Sequence, residues 1–116
     1  MKFLKVFLII LLSNLLLAEH PKRILFVGNS YLYYNDSVHN HVKRMLIEHY
    51  GDEDIITKSA TIGGSRLHNH NIDHLLDYNN LQLKQQIDLL IMQGGSKEVT
   101  TPKLRSKFTK TAIDYS

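Results

Sequence analysis

Three short apolar runs, each closed by a glycine-bearing polar loop, limit what this chain folds into. Arg23–Val27 (RILFV) runs into Gly28-Asn29-Ser30. Ile55–Ala60 (IITKSA) leads to Gly63-Gly64-Ser65, and Ile87–Met92 (IDLLIM) leads through Gln93 to Gly94-Gly95-Ser96. Runs this short and this rich in branched side chains read as buried strands rather than helices. Between them the apolar period becomes helical. Val38, Val42, Met45 and Leu46 recur on one face of Ser37–Tyr50, with Asn35 or Asp36 as N-cap and Gly51 as the stop. Arg66–Tyr78 reads as a second helix facing Leu67, Ile72, Leu75 and Leu76 inward; Asn79-Asn80 marks a turn and Leu81–Gln86 a short amphipathic connector. Thr101-Pro102 starts a last helix that runs to about Asp114, because proline suits the first helical turn. Strand alternating with helix implies an α/β fold with parallel strands joined by right-handed crossovers. The near-continuous apolar content of the strands fits a sheet covered on both faces. Ligands of open α/β sheets bind at the carboxyl ends of the strands, so the three glycine loops are expected to converge on a site.

The chain is 116 residues long, room for one small domain. Its first segment reads as an address. Met1–Lys5 supplies a positive stretch, Val6–Leu17 an apolar core, and Ala18 a small residue before Glu19, the order of a secretory signal peptide. The apolar run is shorter than the ~20 residues a spanning helix needs, so no stable membrane insertion is expected after cleavage; an uncleaved N-terminal anchor is the alternative, because Leu16 suits the cleavage site poorly. The expected division is a signal peptide at 1–18 and a partial α/β domain at 19–116, exported to the periplasm or outside the cell. Loss of Lys2 and Lys5 reduces the fourteen Lys and Arg to twelve, against eleven Asp and Glu, and so removes the electrostatic case for nucleic acid. The absence of cysteine excludes a disulfide framework and thiolate metal sites.

Ser30 follows the first strand in a turn that Gly28 makes flexible, a placement that exposes a nucleophilic hydroxyl above a sheet. A plain Gly-Asn-Ser turn has the same spacing. Three segments add to this. Arg23–Asp36 (RILFVGNSYLYYND) resembles the first block of the SGNH (GDSL-like) hydrolase superfamily in its Gly-Asn-Ser branch. Ser59–His70 (SATIGGSRLHNH) is similar to the second block, and Asp88–Glu98 (DLLIMQGGSKE) to the third, in the same order. The resemblance implies the N-terminal part of a three-layer α/β/α, flavodoxin-like fold that hydrolyses an acylated carbohydrate or other small ester without a cofactor. It implies Ser30 as nucleophile, with the backbone N–H groups of Ser30 and Gly64 (or Gly63) as oxyanion donors. Lys97 falls where the family often places an asparagine donor, and Gln93 is the other substitute; both also read as ordinary strand-end and loop residues. Asn29, Tyr31 and Tyr33 are the expected substrate-binding residues, although the tyrosine cluster with Tyr34 equally fits loop packing. The resemblance also implies a catalytic histidine, preceded three residues earlier by an aspartate, after further βα units. The sequence contains no such segment, so a truncated or degenerate copy with little hydrolysis of its own is expected. The competing class is a non-catalytic exported α/β protein that binds a small ligand at the same loops.

Seven histidines form a second signal. His39-Asn40-His41 and His68-Asn69-His70 repeat a pattern, and His70 and His74 stand four apart on the expected second helix, a spacing that can bind zinc. No glutamate follows His70 in the His-Glu-x-x-His sense, and surface or helix-face histidines are the plainer reading, so no metal is assigned. A dinucleotide-binding unit is not expected either, since no Gly-x-Gly-x-x-Gly follows the first strand.

Overall fold

Strand β1 (Arg23–Gly28) has a partner on each side, and its residues are buried accordingly. The computed structural model describes residues 19–116; the signal-peptide reading concerns 1–18 and lies outside them. Strands β2 (Ile56–Thr61) and β3 (Leu89–Met92) both pair with β1 in parallel, in the order β2-β1-β3. The register runs from Arg23 opposite Ile56 to Gly28 opposite Thr61, and from Ile24 opposite Leu89 to Val27 opposite Met92. An α/β architecture with parallel strands is therefore what the sequence builds. No helix among the described residues is long and apolar enough to cross a membrane.

Alternation along β1 divides the core in two. Ile24 and Phe26 pack with Leu32 and with Val42 and Leu46 of α2 (Val38–Tyr50). Leu25 and Val27 face the other way, against Ile72, Leu75 and Leu76 of α3 (Ile72–Leu76) and Tyr115 at the end of α4 (Pro102–Tyr115). A four-residue helix, α1 (Ser30–Tyr33), follows β1 directly where an irregular tyrosine loop is expected.

The flanking strands depart from the sequence reading. β3 begins two residues later than the apolar run suggests, and Leu89 is 39% exposed; Ile56 of β2 is 40% exposed. Among the described residues each has a neighbour on one side only, and continuous burial on both faces is confined to β1. Asp88, inside the apolar run, explains the late start of β3. Its Oδ2 accepts the backbone N–H groups of Lys22 and Arg23, and its Oδ1 takes the Arg23 guanidinium at 2.6 Å, clamping the first turns of β1 and β3 together.

The second expected helix is broken. Leu67–Asn69 is a single 3-10 turn and only Ile72–Leu76 is α-helical. Asparagines cause the break: Asn69 Oδ1 accepts the Arg66 N–H and Asn71 Oδ1 accepts the His74 N–H. Both side chains offer the backbone a local partner in place of the helical ladder. The start of α2 also moves. Ser37, not Asn35 or Asp36, is the N-cap, and all three have positive φ. The loop is held there by side chains of α2 itself, since Arg44 bonds Asp36 at 2.9 Å and the His41 ring bonds the Asn35 carbonyl at 2.7 Å. Met45, expected inside, is 70% exposed. Gly51 does end α2 in the left-handed conformation, and the Thr101 hydroxyl caps α4 through the Leu104 N–H.

Leu25 has no exposed surface and sits mid-strand between both partners. Leu25→Ala should therefore lower stability by about 2–5 kcal/mol in urea melts. A loss within experimental error would contradict the placement of the core.

Candidate active site at the strand tips

The tip of β1 is tight before it is chemical. A Cβ on Gly28 would lie 2.6 Å from Gln93 Oε1 and 2.7 Å from Leu32 Cδ1, so only glycine lets these groups close in. Asn29, next in line, is buried and hydrogen-bonded in all directions. Its Oδ1 accepts the Tyr31 N–H at 3.1 Å, capping α1. Its Nδ2 donates to the Ser65 carbonyl at 3.1 Å and to the Gly94 carbonyl at 3.4 Å, while its backbone N–H donates to Gln93 Oε1 at 3.2 Å. One amide side chain thus joins the tips of all three strands.

The β2 tip turns over Gly63-Gly64. Ile62 N–H donates to the Gly28 carbonyl and Ser65 N–H returns to the Ile62 carbonyl, which puts Gly64 at φ +68. Ser65 is buried; its hydroxyl donates to the Gly28 carbonyl at 3.3 Å and stands 3.1 Å from His70 Nε2. With its proton committed to Gly28, the Ser65 oxygen accepts from His70, which assigns the Nε2–H tautomer to that ring. The β3 tip is held by Glu98, a buried carboxylate whose Oε2 accepts the Gly95 N–H at 2.6 Å and the Leu67 N–H at 3.1 Å. Gly94 leaves room for Phe108 and Glu98, since a Cβ there would lie within 2.8 Å of both.

These bonds leave a cleft of about 380 Å³ between the tips, lined by Asn29, Ser30 and Tyr31 from the first, Gly64 and Arg66 from the second, and Gly95, Ser96 and Lys97 from the third. Ser30 is half-buried at its edge. No family model, curated protein or solved structure matches this chain. Its chemistry has to be read from this geometry.

Of the residues singled out in the sequence, Ser30, Gly64, Lys97, Asn29 and Tyr31 meet at the cleft. Asn29 is there mainly as the joint between the loops. Gly63 lies beneath the Tyr33 hydroxyl, which stands 3.1 Å from where its Cβ would be, and Tyr33 packs on Tyr34 rather than lining the cleft. The Gln93 amide is engaged at both ends, by Asn29 N–H and by the Gly94 carbonyl at 2.6 Å, and it borders a separate depression with Tyr31 and Phe108. Ser65, Arg66 and Glu98 carry no site expectation from the sequence, and His70 enters there only as half of a zinc-spaced pair. Ser65 and Ser30 both follow glycine-bearing turns, and nothing in their spacing tells the buried hydroxyl from the accessible one. Glu98 carries a faint signal, as a glutamate three residues after a turn glycine can accept backbone N–H groups.

The histidines do not assemble. His70 precedes α3 and turns inward to Ser65, whereas His74 bonds Asn80, so the four-apart pair never shares a helix face. His68 faces Glu98 at 3.9 Å, and His41 bonds Asn35 and Arg44. Among the described residues no three His, Asp or Glu side chains form a metal-holding group.

Burial lowers the His70 pKa below 6.5, opposed by the Gly28 carbonyl beside the ring; burial lowers His39 as well, opposed by Asp36. A histidine depressed in the folded state binds its proton more readily unfolded. Its stabilising share is full above 6.5 and is lost as pH falls through the folded value. Urea-derived stability should therefore decline as pH drops below 6.5, and His70→Gln, which keeps a donor for Ser65, should flatten part of that decline. Parallel profiles for the two proteins would refute a buried neutral His70.

Proposed function

We propose that this chain carries the nucleophile of an exported serine ester hydrolase of the SGNH type, built on a flavodoxin-like three-layer plan and acting on an acylated carbohydrate or other small ester. The supporting observation is the convergence of Ser30 and Gly64 on one cleft at the carboxyl ends of parallel strands. Ser30 Oγ attacks the ester carbonyl. The developing oxyanion is met by the backbone N–H groups of Ser30 and Gly64, neither of which has another acceptor among the described residues. Donors held in place in this way typically contribute about 2.7–4 kcal/mol each to lowering the barrier. Tyr31, 62% exposed at the cleft, supplies an aromatic face for a sugar or acyl group.

A serine hydroxyl needs a base at neutral pH. The cleft lining contains no imidazole and no carboxylate, and the His70 Nε2–H is taken by Ser65. That observation favours a second reading, in which the same cleft binds a small ligand without turning it over.

An external base separates the two. Under the hydrolase reading, a fluorophosphonate probe labels Ser30 slowly, labelling speeds up in proportion to added imidazole, and Ser30→Ala abolishes the adduct in intact-mass spectra. Labelling that ignores imidazole and survives Ser30→Ala removes the hydrolase reading and leaves the binding one. Export carries its own test: the N-terminal sequence of the product recovered outside the cytoplasm should begin at Glu19, and recovery of the chain only from the cytoplasm refutes it.

A further inference from the structure

We infer that the Ser30 cleft selects esters bearing an anionic group, a carboxylate or phosphate, gripped by Arg66 and Lys97 from two different strand tips. The inference rests on the hydrolase reading and adds the substrate class. The charged side chains lining the cleft are these two, both cationic; its other side chains, from Asn29, Ser30, Tyr31 and Ser96, are neutral. Elsewhere four cations meet acids, Lys22 with Asp52, Arg23 with Asp88, Arg44 with Asp36 and Lys110 with Asp114, while others such as Lys43 and Lys58 have no acid partner among the described residues. Arg66 and Lys97 have no such partner among the described residues. Glu98, the acid next to Lys97 in sequence, is buried with its Oε2 on the Gly95 and Leu67 N–H groups, and it does not line this cleft.

The arginine is also placed. Its Cγ lies 3.6 Å from where a Gly95 Cβ would stand, so the stem crosses from the β2 tip over the β3 tip. Its backbone N–H is fixed by Asn69 Oδ1 at 2.8 Å. Arg66, half-buried as a residue, offers a flat fork of donors that fits a carboxylate or a phosphate, and the exposed Lys97 adds a movable point charge. An anionic substrate would bring the missing countercharge to both.

Acylation of Ser30 by two p-nitrophenyl esters of equal length tests this in the full chain, with imidazole as base and intact mass as readout. One acyl group is valeryl, which is neutral; the other is glutaryl, which ends in a carboxylate. In either reaction the Ser30 Oγ–acyl bond forms as the ester C–O bond breaks, the hydroxyl proton passes to imidazole and nitrophenolate leaves. The glutaryl ester should react roughly fivefold faster, as expected for partly exposed charge contacts. That ratio should fall towards one in the Arg66→Gln, Lys97→Gln double variant, and in the unaltered chain at high salt, which needs no variant to fold. Equal rates in the unaltered chain overturn the inference. If neither ester acylates Ser30, the hydrolase reading fails alone, and the anion site is judged by amide-shift titration with glutarate and with inorganic phosphate at fixed ionic strength. Saturable shifts at Gly64 and Ser96 that Arg66→Gln removes uphold the site, and the tighter binder identifies the anion. Absence of saturable shifts with both overturns it.

Discussion

The carboxamide of Asn29 is the joint on which the upper half of this protein depends. Buried polar groups are tolerated only when they find partners, and this side chain uses both its ends: Oδ1 caps α1 while Nδ2 reaches the carbonyls of Ser65 and Gly94. Those carbonyls belong to loops after two different strands. Because the Asn29 side chain is buried, the loops cannot drift apart without leaving an amide unsatisfied, at a cost of about 1–3 kcal/mol. Ser30 inherits its position from this arrangement, as it is the residue immediately after the joint.

A second buried group completes the frame. The Glu98 carboxylate accepts from Gly95 and Leu67, binding the β3 tip to the segment after β2, and the Ser65 hydroxyl ties that segment back to the Gly28 carbonyl. The strand tips are thus connected in a ring by polar side chains. The apolar core beneath is modest: β1 is buried from Ile24 to Gly28, while among the described residues β2 and β3 each have a partner on one side only. In so small a sheet, hydrogen bonding at the tips carries much of the site geometry that a larger hydrophobic core would otherwise impose.

The strands and their order along the chain were legible because burial leaves a period in the sequence. Leu25 and Val27 are apolar since they pack on α3, Ile24 and Phe26 since they pack on α2. The helix over Arg66–Tyr78 was misread for an equally local reason. The asparagines at 69 and 71 compete for backbone N–H groups, and apolar spacing alone does not register that competition. At the site, strand-end placement pointed to Ser30, whereas Gly64 was singled out only by the resemblance of Ser59–His70 to a known block. Gly63 stood as the alternative to Gly64 and Gln93 as the alternative to Lys97, yet Gly63 lies under Tyr33 and the Gln93 amide is engaged with Asn29.

By itself the sequence determined the α/β alternation, the parallel strands that such alternation requires, and the three glycine-bearing loops at their carboxyl ends. These follow from periodicity and chain reach, which act between near neighbours. Only the tertiary structure decided which hydroxyl stays open and which is locked, that Glu98 is a fastener, and that Arg66 and Lys97 share a cleft. Those outcomes depend on contacts between residues some thirty to seventy positions apart, such as Asn29 with Ser65 and Gly94. A distance of that kind leaves no mark on local spacing.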